Sequence, residues 1–585
     1  MKIEIVMGPA AKTLVGDAEF RQQWKTLYDG CSWGSVYQSE EFVLTWYATY
    51  KSHYLPVIVT GTTSEGALVG LFTLAIESES GNLVFAGGKQ AEYQAWLADA
   101  RHGDEFIESA LDRLSEALPG KALTLLFMLP TVPVQWAESG VRWSDRCHVR
   151  SMPRGLLEVG NGDSFKDTLR KKKQSKINRL KRLGNLHLDR IQEPEEVGAV
   201  LEELLCYQTL RLRAIYNLPD VQRDPLQREF YTKLARFPRM IHATALRVND
   251  ELASAQIHIY NREQVLLGLI THSPFFARYS PGELHILMTA VELAREEVPV
   301  FDLTPGGQYK DRYATHHDEV HIITIFFKRA DCVRYKLQRN LAERAKAAAL
   351  KFKITPEQTR DGVSSLQDER RKWARMSPAS LALQPARMVK RRLWHQEELQ
   401  MYATETASLR DLPDSQPMAK NQVADLLLYE PRFPWQPTVN QFLRQALEKI
   451  ENGQHVYTRV ENDRLVEYGW LSEPQSRKPV AGEESLPAPA PDAVVLSDLF
   501  SESNGPTLPT ASLSQLLRDA AQVSGATQVQ IEVSTRNSCL RNALEKAGFQ
   551  YQYSVFAKCA FGKTTRWSNL PAQSVEPQTT GENAN

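Results

Sequence analysis

The strongest constraint on this chain is a meander written between Met240 and Thr271, three apolar runs parted by two short polar turns. Met240–Val248, Leu252–Tyr260 and Gln264–Thr271 read as strands, and Asn249-Asp250 and Asn261-Arg262-Glu263 supply the turn chemistry between them. Turns this short permit only antiparallel pairing. Ser280-Pro281-Gly282 then opens a segment that places Leu284, Leu287, Val291 and Ala294 on one helical stripe. The helix closes before Pro299, and Val300-Phe301-Asp302-Leu303 returns as a buried strand.

The same order of elements recurs on both sides without a repeated sequence. The first copy has Leu55–Thr60, Ala67–Ile76, Leu83–Ala86, a helix near Asp104–Leu118 and a strand Leu123–Met128. The third has Gln454–Val460, a turn at Asn462-Asp463, Leu465–Leu471, Val494–Phe500, a helix Ser512–Val523, Gln528–Val533, a helix Ser538–Ala547 and Phe549–Ala557. A proline- and alanine-rich insert, Glu473–Asp492, reads as a surface loop in this copy. Between the second and third copies, Tyr335–Ala403 reads as mostly helical, and basic in its first half. The expected fold is α/β, with mixed, mainly antiparallel sheets flanked by helices and repeated about three times. The expected division is an N-terminal unit at 1–152, a central unit at 153–334, a basic helical connector at 335–415, a C-terminal unit at 416–563 and a disordered tail at 564–585.

Lysine plus arginine and aspartate plus glutamate each total 70 of the 585 residues, so bulk charge does not nominate a nucleic-acid partner. The six cysteines form no C-x-x-C pair, which disfavours a disulfide framework or a zinc knuckle. Met1-Lys2-Ile3-Glu4 has no apolar signal region, and the most apolar stretch, Ala122–Leu129, meets Pro130 and Pro133 well short of the roughly 20 residues a membrane span needs. These features read as a soluble protein of a reducing cytoplasm. No P-loop occurs, so a P-loop nucleotide mechanism is unsupported.

A helix that begins just beyond a strand end points unpaired N–H groups into the gap, where an anion such as a pyrophosphate is favoured. If that strand splays from its neighbour, an extended pantetheine arm can add to the exposed edge. That describes an acyl-coenzyme A site. Ser280 and Gly282 are candidates for the phosphate turn and Arg278 for a charge-assisted phosphate contact, against a plain capped helix and a solvated arginine. Lys310 and Tyr309 follow the glycine-rich turn Gly306-Gly307 beyond the buried strand. Lys310 is a candidate to stabilise an oxyanion and Tyr309 to protonate a leaving thiolate, against a rim lysine and a core tyrosine. Asp302, in an apolar strand, must find a partner or shift its pKa upward, and is a candidate to position Lys310 or to accept the acceptor amine's proton. Glu283 and His285 are weaker base candidates, expected to face solvent.

The runs Thr271-His272-Ser273-Pro274-Phe275-Phe276-Ala277-Arg278-Tyr279-Ser280-Pro281-Gly282 and Phe301-Asp302-Leu303-Thr304-Pro305-Gly306-Gly307-Gln308-Tyr309-Lys310 resemble the CelD/BcsL family. These are GNAT-type acyltransferases of cellulose and exopolysaccharide synthesis, related in fold to the Fem-type aminoacyltransferases. The resemblance covers roughly Arg154–Lys328. It implies acyl-CoA, with acetyl-CoA the simplest, as co-substrate, no metal, and an amine or hydroxyl acceptor on a cell-envelope or glycan precursor. A Fem-like role for Lys310 is also implied. Two alternatives stand beside it: an aminoacyl-tRNA donor, with the Arg170–Arg182 run facing the tRNA, and a non-catalytic binding module, which a degenerate third unit would suit. The third copy resembles a GNAT domain at its end, from Asn537 to Phe549, but lacks the Arg/Gln-x-x-Gly-x-Gly/Ala loop. The active site is therefore expected in the central copy.

The densest charge run, Arg170-Lys171-Lys172-Lys173 continuing to Arg182, suits an anionic membrane surface, an RNA, or an anionic cofactor or glycan, with a solvated helix face as the plain reading. Placement at the cytoplasmic face of an inner membrane follows from the first. His316, His317, Asp318 and His321 are metal-ligand types, but strand alternation splits them between two faces.

Overall fold

The computed structural model of the chain describes residues 1–138, 142–160, 167, 171, 173–216, 224–351, 395–409, 417–433, 436–474, 490–502, 510–535, 537–560 and 563–569. Arg170, Lys172, most of the 473–492 insert and residues 570–585 lie outside them. The chain divides into two compact units. The first comprises Met1–Leu205, Arg223–Ser273 and Tyr279–Pro356; the second comprises Cys206–Gln222, Pro274–Arg278 and Glu357–Asn585.

The first unit holds two sheets. One is built from β1 (Lys2–Met7), β2 (Tyr54–Thr62), β3 (Leu68–Glu77), β4 (Leu83–Phe85) and β5 (Leu97–Ala98), in the order β1-β2-β3-β4 with β5 on β3. The other has eight strands: β6 (Ala122–Met128), β7 (Cys147–Glu158), β8 (Leu186–Ile191), β9 (Ile241–Val248), β10 (Glu251–Asn261), β11 (Gln264–His272), β12 (Val300–Pro305) and β13 (His316–Phe326). Their order is β6-β13-β7-β12-β11-β10-β9-β8, so β6 joins the second sheet by pairing with β13. The meander β9–β11 forms as its turns dictate, with Asn249 and Arg262 in the left-handed conformation.

Four helices matter to the first unit's function or to comparison with the second: α1 (Gln174–Lys181), α2 (Pro281–Arg295), α3 (Arg329–Lys351) and, in the second unit, α4 (Thr510–Ala521). Ile286, Ala290 and Leu293 of α2 pack with Val265, Leu267, Phe301 and Leu303 into a buried core. Fully burying a valine, leucine, isoleucine or phenylalanine contributes roughly 1.5–3 kcal/mol, which fixes α2 against β11 and β12.

The second unit holds another eight-stranded sheet: β14 (His395–Glu405), β15 (Ala419–Lys420), β16 (His455–Glu461), β17 (Arg464–Ser472), β18 (Ala493–Ser501), β19 (Gln528–Ser534), β20 (Gln550–Ala560) and β21 (Lys563–Ser568). Asn462 and Asp463 both take positive φ, the turn that matches hairpin twist. Two expectations are corrected here. His395–Glu405, expected within the mostly helical connector, is a strand held between β19 and β20; Met401, Tyr402 and Ala403 are buried, and that packing overrides local propensity. Residues 563–568, most of which were assigned to a disordered tail, pair with β20. Each eight-stranded sheet contains one parallel pair among its described strands, β11/β12 and β18/β19.

Candidate active site

The parallel pair in the first unit is short. β11 and β12 are in register only at Gln264↔Val300, Val265↔Phe301 and Leu266↔Asp302. Beyond that point β11 continues to His272 on β10 alone. Gly268 is required there, because a Cβ would stand 2.3 Å from the Ile257 carbonyl oxygen. β12 turns away: its register against β7 breaks between Asp302 and Pro305, and Thr304, a β-branched residue, sits at φ 57°. Such a conformation costs of order 1–3 kcal/mol and persists only where its surroundings impose it. Here Asp302 Oδ1 accepts from the Thr304 N–H at 2.8 Å, and the Thr304 hydroxyl donates to the Leu267 carbonyl at 3.3 Å. The strands thus part at Leu267 and Thr304, leaving a wedge whose β11 wall has no ladder partner on the β12 side among the described residues.

Helix α2 begins at the far end of β11. Its first N–H groups have no intrahelical acceptor, and a Cβ at Gly282 would lie 3.4 Å from His272 Nδ1, which places the turn beside the strand end. Ser280 takes φ 55° and makes no cap hydrogen bond, so its expected capping role is not seen. Glu283 is not a free base: Lys173 of the basic run donates to Oε1 at 2.6 Å and Lys176 of α1 to Oε2. Burial pushes its pKa up, but those bonds outweigh it and hold the carboxyl below its usual range. Arg179 lies 5.2 Å over the Tyr279 ring. Arg278 belongs to the second unit, where its charge acts on Glu473.

Lys310 returns to the point of divergence because Gly306 and Gly307 take φ values of 82° and 81° that reverse the chain. Its ammonium donates to the Thr304 hydroxyl at 3.0 Å and carbonyl at 3.3 Å. Burial lowers its pKa, against the charges of Glu92 and Asp302. Tyr309 is 40% exposed, with its ring over Gly307. Asp302 is fully buried and satisfied: Tyr93 donates to Oδ2 at 2.7 Å and Arg154 at 3.1 Å. Arg154 also donates to Asp318 at 2.7 Å and lies over the Tyr93 ring at 5.7 Å. Burial pushes the Asp302 pKa up, opposed first by the Arg154 charge.

Sequence reasoning missed Arg154, Tyr93 and Glu92. Glu92 lies between β4 and β5, one residue from the phenol that binds Asp302. Burial pushes its carboxyl up to about 7, opposed by Lys310. The segment is pinned, since the Gln94 side chain accepts from the Leu126 N–H and donates to the Gly88 and Ala91 carbonyls.

His285 does not face solvent as expected. It is fully buried under α2, bonded to Ser254 at 3.0 Å and Thr244 at 2.9 Å, and burial holds its pKa down at about 3. Of the metal-ligand types, His316 stands 3.5 Å from Glu158, His317 stands 3.5 Å from Asp311, and Asp318 binds Arg154. Among the described residues no group of three or more such side chains converges, and no helix is long and apolar enough to cross a membrane.

In the second unit, β18 and β19 also part after four residue pairs, and a cavity of about 330 Å³ opens among Tyr468, Trp470, Leu499 and Val533. Ser512, in the first turn of α4, donates to the buried carboxylate of Glu467 at 2.6 Å. That helix start faces an anion of its own chain.

Residues 168–314 match the model of an acetyltransferase (GNAT) domain. None of the curated proteins matches the chain. Among solved structures, FemX is similar at 10% identity over 52% of this chain and 95% of its own, with a TM-score of 0.37. L-PGS from Bacillus licheniformis is similar at 10% identity over 56% and 97%, with a TM-score of 0.32. The N-myristoyltransferase of Saccharomyces cerevisiae, solved with bound myristoyl-CoA, is similar at 9% identity over 56% and 82%, with a TM-score of 0.31. These likenesses are too distant to argue from, and the domain match carries the assignment. Residues 168–314 of the chain are therefore similar to a GNAT-type acetyltransferase domain.

Proposed function

We propose that the first unit moves an acyl group from an acyl-coenzyme A, acetyl-CoA being the simplest, to an amine or a hydroxyl. The observation that carries this reading is the early end of the β11/β12 ladder beside the start of α2. The wedge suits the amide-bearing arm of the carrier, and the N–H groups around Gly282, with Ser280 beside them, suit its phosphates. Lys173 and Lys176 stand at the same turn. The catalytic unit then runs over 153–334, completed by Glu92 and Tyr93 from the preceding 1–152.

A bound acyl thioester supplies an activated carbonyl and a leaving thiolate. Glu92, with a carboxyl near neutrality, takes the proton from the attacking amine. The Lys310 ammonium, held on Thr304, stabilises the oxyanion as it forms. Tyr309 donates its phenolic proton to the departing sulfur, and the Asp302–Arg154–Tyr93 set fixes the strand that leads to Lys310. The acceptor class, a cell-envelope, cellulose or exopolysaccharide precursor, is supported only by the resemblance of the 271–282 and 301–310 runs. A second reading, an aminoacyl-tRNA donor, is favoured by the cations of α1; donor turnover that depends on RNA and falls steeply with salt would select it.

Calorimetric titration with acetyl-CoA tests the site. Gly282→Asp adds a carboxylate in a position with only ordinary contacts, so the fold is kept while affinity falls by about tenfold or more through repulsion at the helix start. Unchanged affinity in that variant would move the coenzyme elsewhere.

A further inference from the structure

Among its described side chains, helix α3 is anchored by one side only. Cys332 is fully buried, and the Tyr335 ring packs on Phe326 at 5.1 Å and on His148 at 5.5 Å. Roughly opposite, Val333, Leu337 and Leu341 recur every fourth residue as a stripe that the first unit leaves uncovered, 49%, 59% and 65% exposed. Residues four apart on a helix share a face. Arg334 and Arg344 are exposed beside that stripe. Arg329–Lys351 contains seven basic residues against Asp331 and Glu343, in a chain whose net charge is zero. Glu343 is already bonded to Arg339 at 3.0 Å, which leaves the stripe bordered by positive charge.

We propose that this face of α3 rests on an anionic phospholipid surface, with Val333, Leu337 and Leu341 at the boundary of headgroups and acyl chains and Arg334 and Arg344 at the lipid phosphates. Charge complementarity selects this occupant. A second copy of the chain would set the same cations against each other, and a nucleic acid would answer the cations while leaving the leucines in water. An anionic bilayer satisfies both features at once. The inference concerns α3 alone and stands or falls separately from the acyltransferase chemistry.

Flotation of the full chain with vesicles tests it, using phosphatidylcholine alone and phosphatidylcholine mixed with phosphatidylglycerol, each at low and high salt. The chain should float with the phosphatidylglycerol vesicles only, and less so at high salt. Leu337→Ser with Leu341→Ser should weaken binding at least about tenfold, given the apolar area each leucine would bury. Arg334→Gln with Arg344→Gln should weaken it as well, and the melting temperature should not move, because these side chains are exposed. Absence of flotation, or flotation indifferent to both pairs of substitutions, would overturn the proposal. So would a leucine pair whose effect is to dissociate a dimer, or to release bound RNA, in sedimentation.

Discussion

Lys310→Ala should lower the rate of thiol release from acetyl-CoA in the presence of amine acceptors by about 10²–10³-fold, the usual effect of removing one preorganised charge from an oxyanion. The fold should survive, because Lys310 is only partly buried, its ammonium bonds to Thr304, and alanine keeps its backbone bonds. Its pH dependence separates the roles. With Glu92 as base, wild-type kcat/KM should rise with pH and level off above the carboxyl's value of about 7. Glu92→Gln should remove that limb and lower the plateau, whereas Lys310→Ala should retain the limb and shift its midpoint upward, since Lys310 is what holds the Glu92 carboxyl down. A limb that persists unshifted in Glu92→Gln would assign the base elsewhere.

Asp302→Ala should destabilise the first unit by about 3–5 kcal/mol, the range for breaking a buried charge pair from one side. The carboxylate serves three buried donors at once: the Tyr93 phenol, the Arg154 guanidinium and the Thr304 N–H. Asp318 still binds Arg154, so the loss falls mainly on Tyr93 and on Thr304, whose left-handed backbone loses the bond that holds it. Asp302→Asn keeps the shape and one acceptor and should cost less. Urea unfolding followed by first-unit tryptophan fluorescence reads the difference. Equal stability of Asp302→Ala and wild type would mean that the network is not what fixes β12.

What was legible in the sequence was local. The turns Asn249-Asp250 and Asn462-Asp463, the Ser280-Pro281-Gly282 helix start and the strand that carries Asp302 each have a signature within a few residues, and each lies where those residues put it. The need of Asp302 for a partner was legible too, since a carboxylate in an apolar strand has no alternative. Its partners were not: Tyr93 is 209 positions away and Arg154 is 148, and nothing in either neighbourhood marks it. Glu92 was invisible for the same reason, because its burial is created by the fold. His285 was misjudged because a histidine near a helix start has no sequence mark of the Ser254 and Thr244 hydroxyls that receive it. The run around Lys173 suggested partners outside the chain, yet Lys173 and Lys176 meet Glu283 of α2, more than 100 residues on. His395–Glu405 failed differently: its composition favours a helix, and only the two flanking strands decide otherwise.

The wedge between β11 and β12 is the feature on which the chemistry depends, and amide hydrogen exchange of the full chain with and without acetyl-CoA probes it most directly. Protection should appear in peptides spanning Leu267–His272 and Gly282–Leu284, where amides on the β12 side of the strand and at the helix start would gain acceptors. Protection confined to Ala493–Ser501 and Gln528–Ser534 of the second unit, with the first unit unchanged, would contradict the assignment.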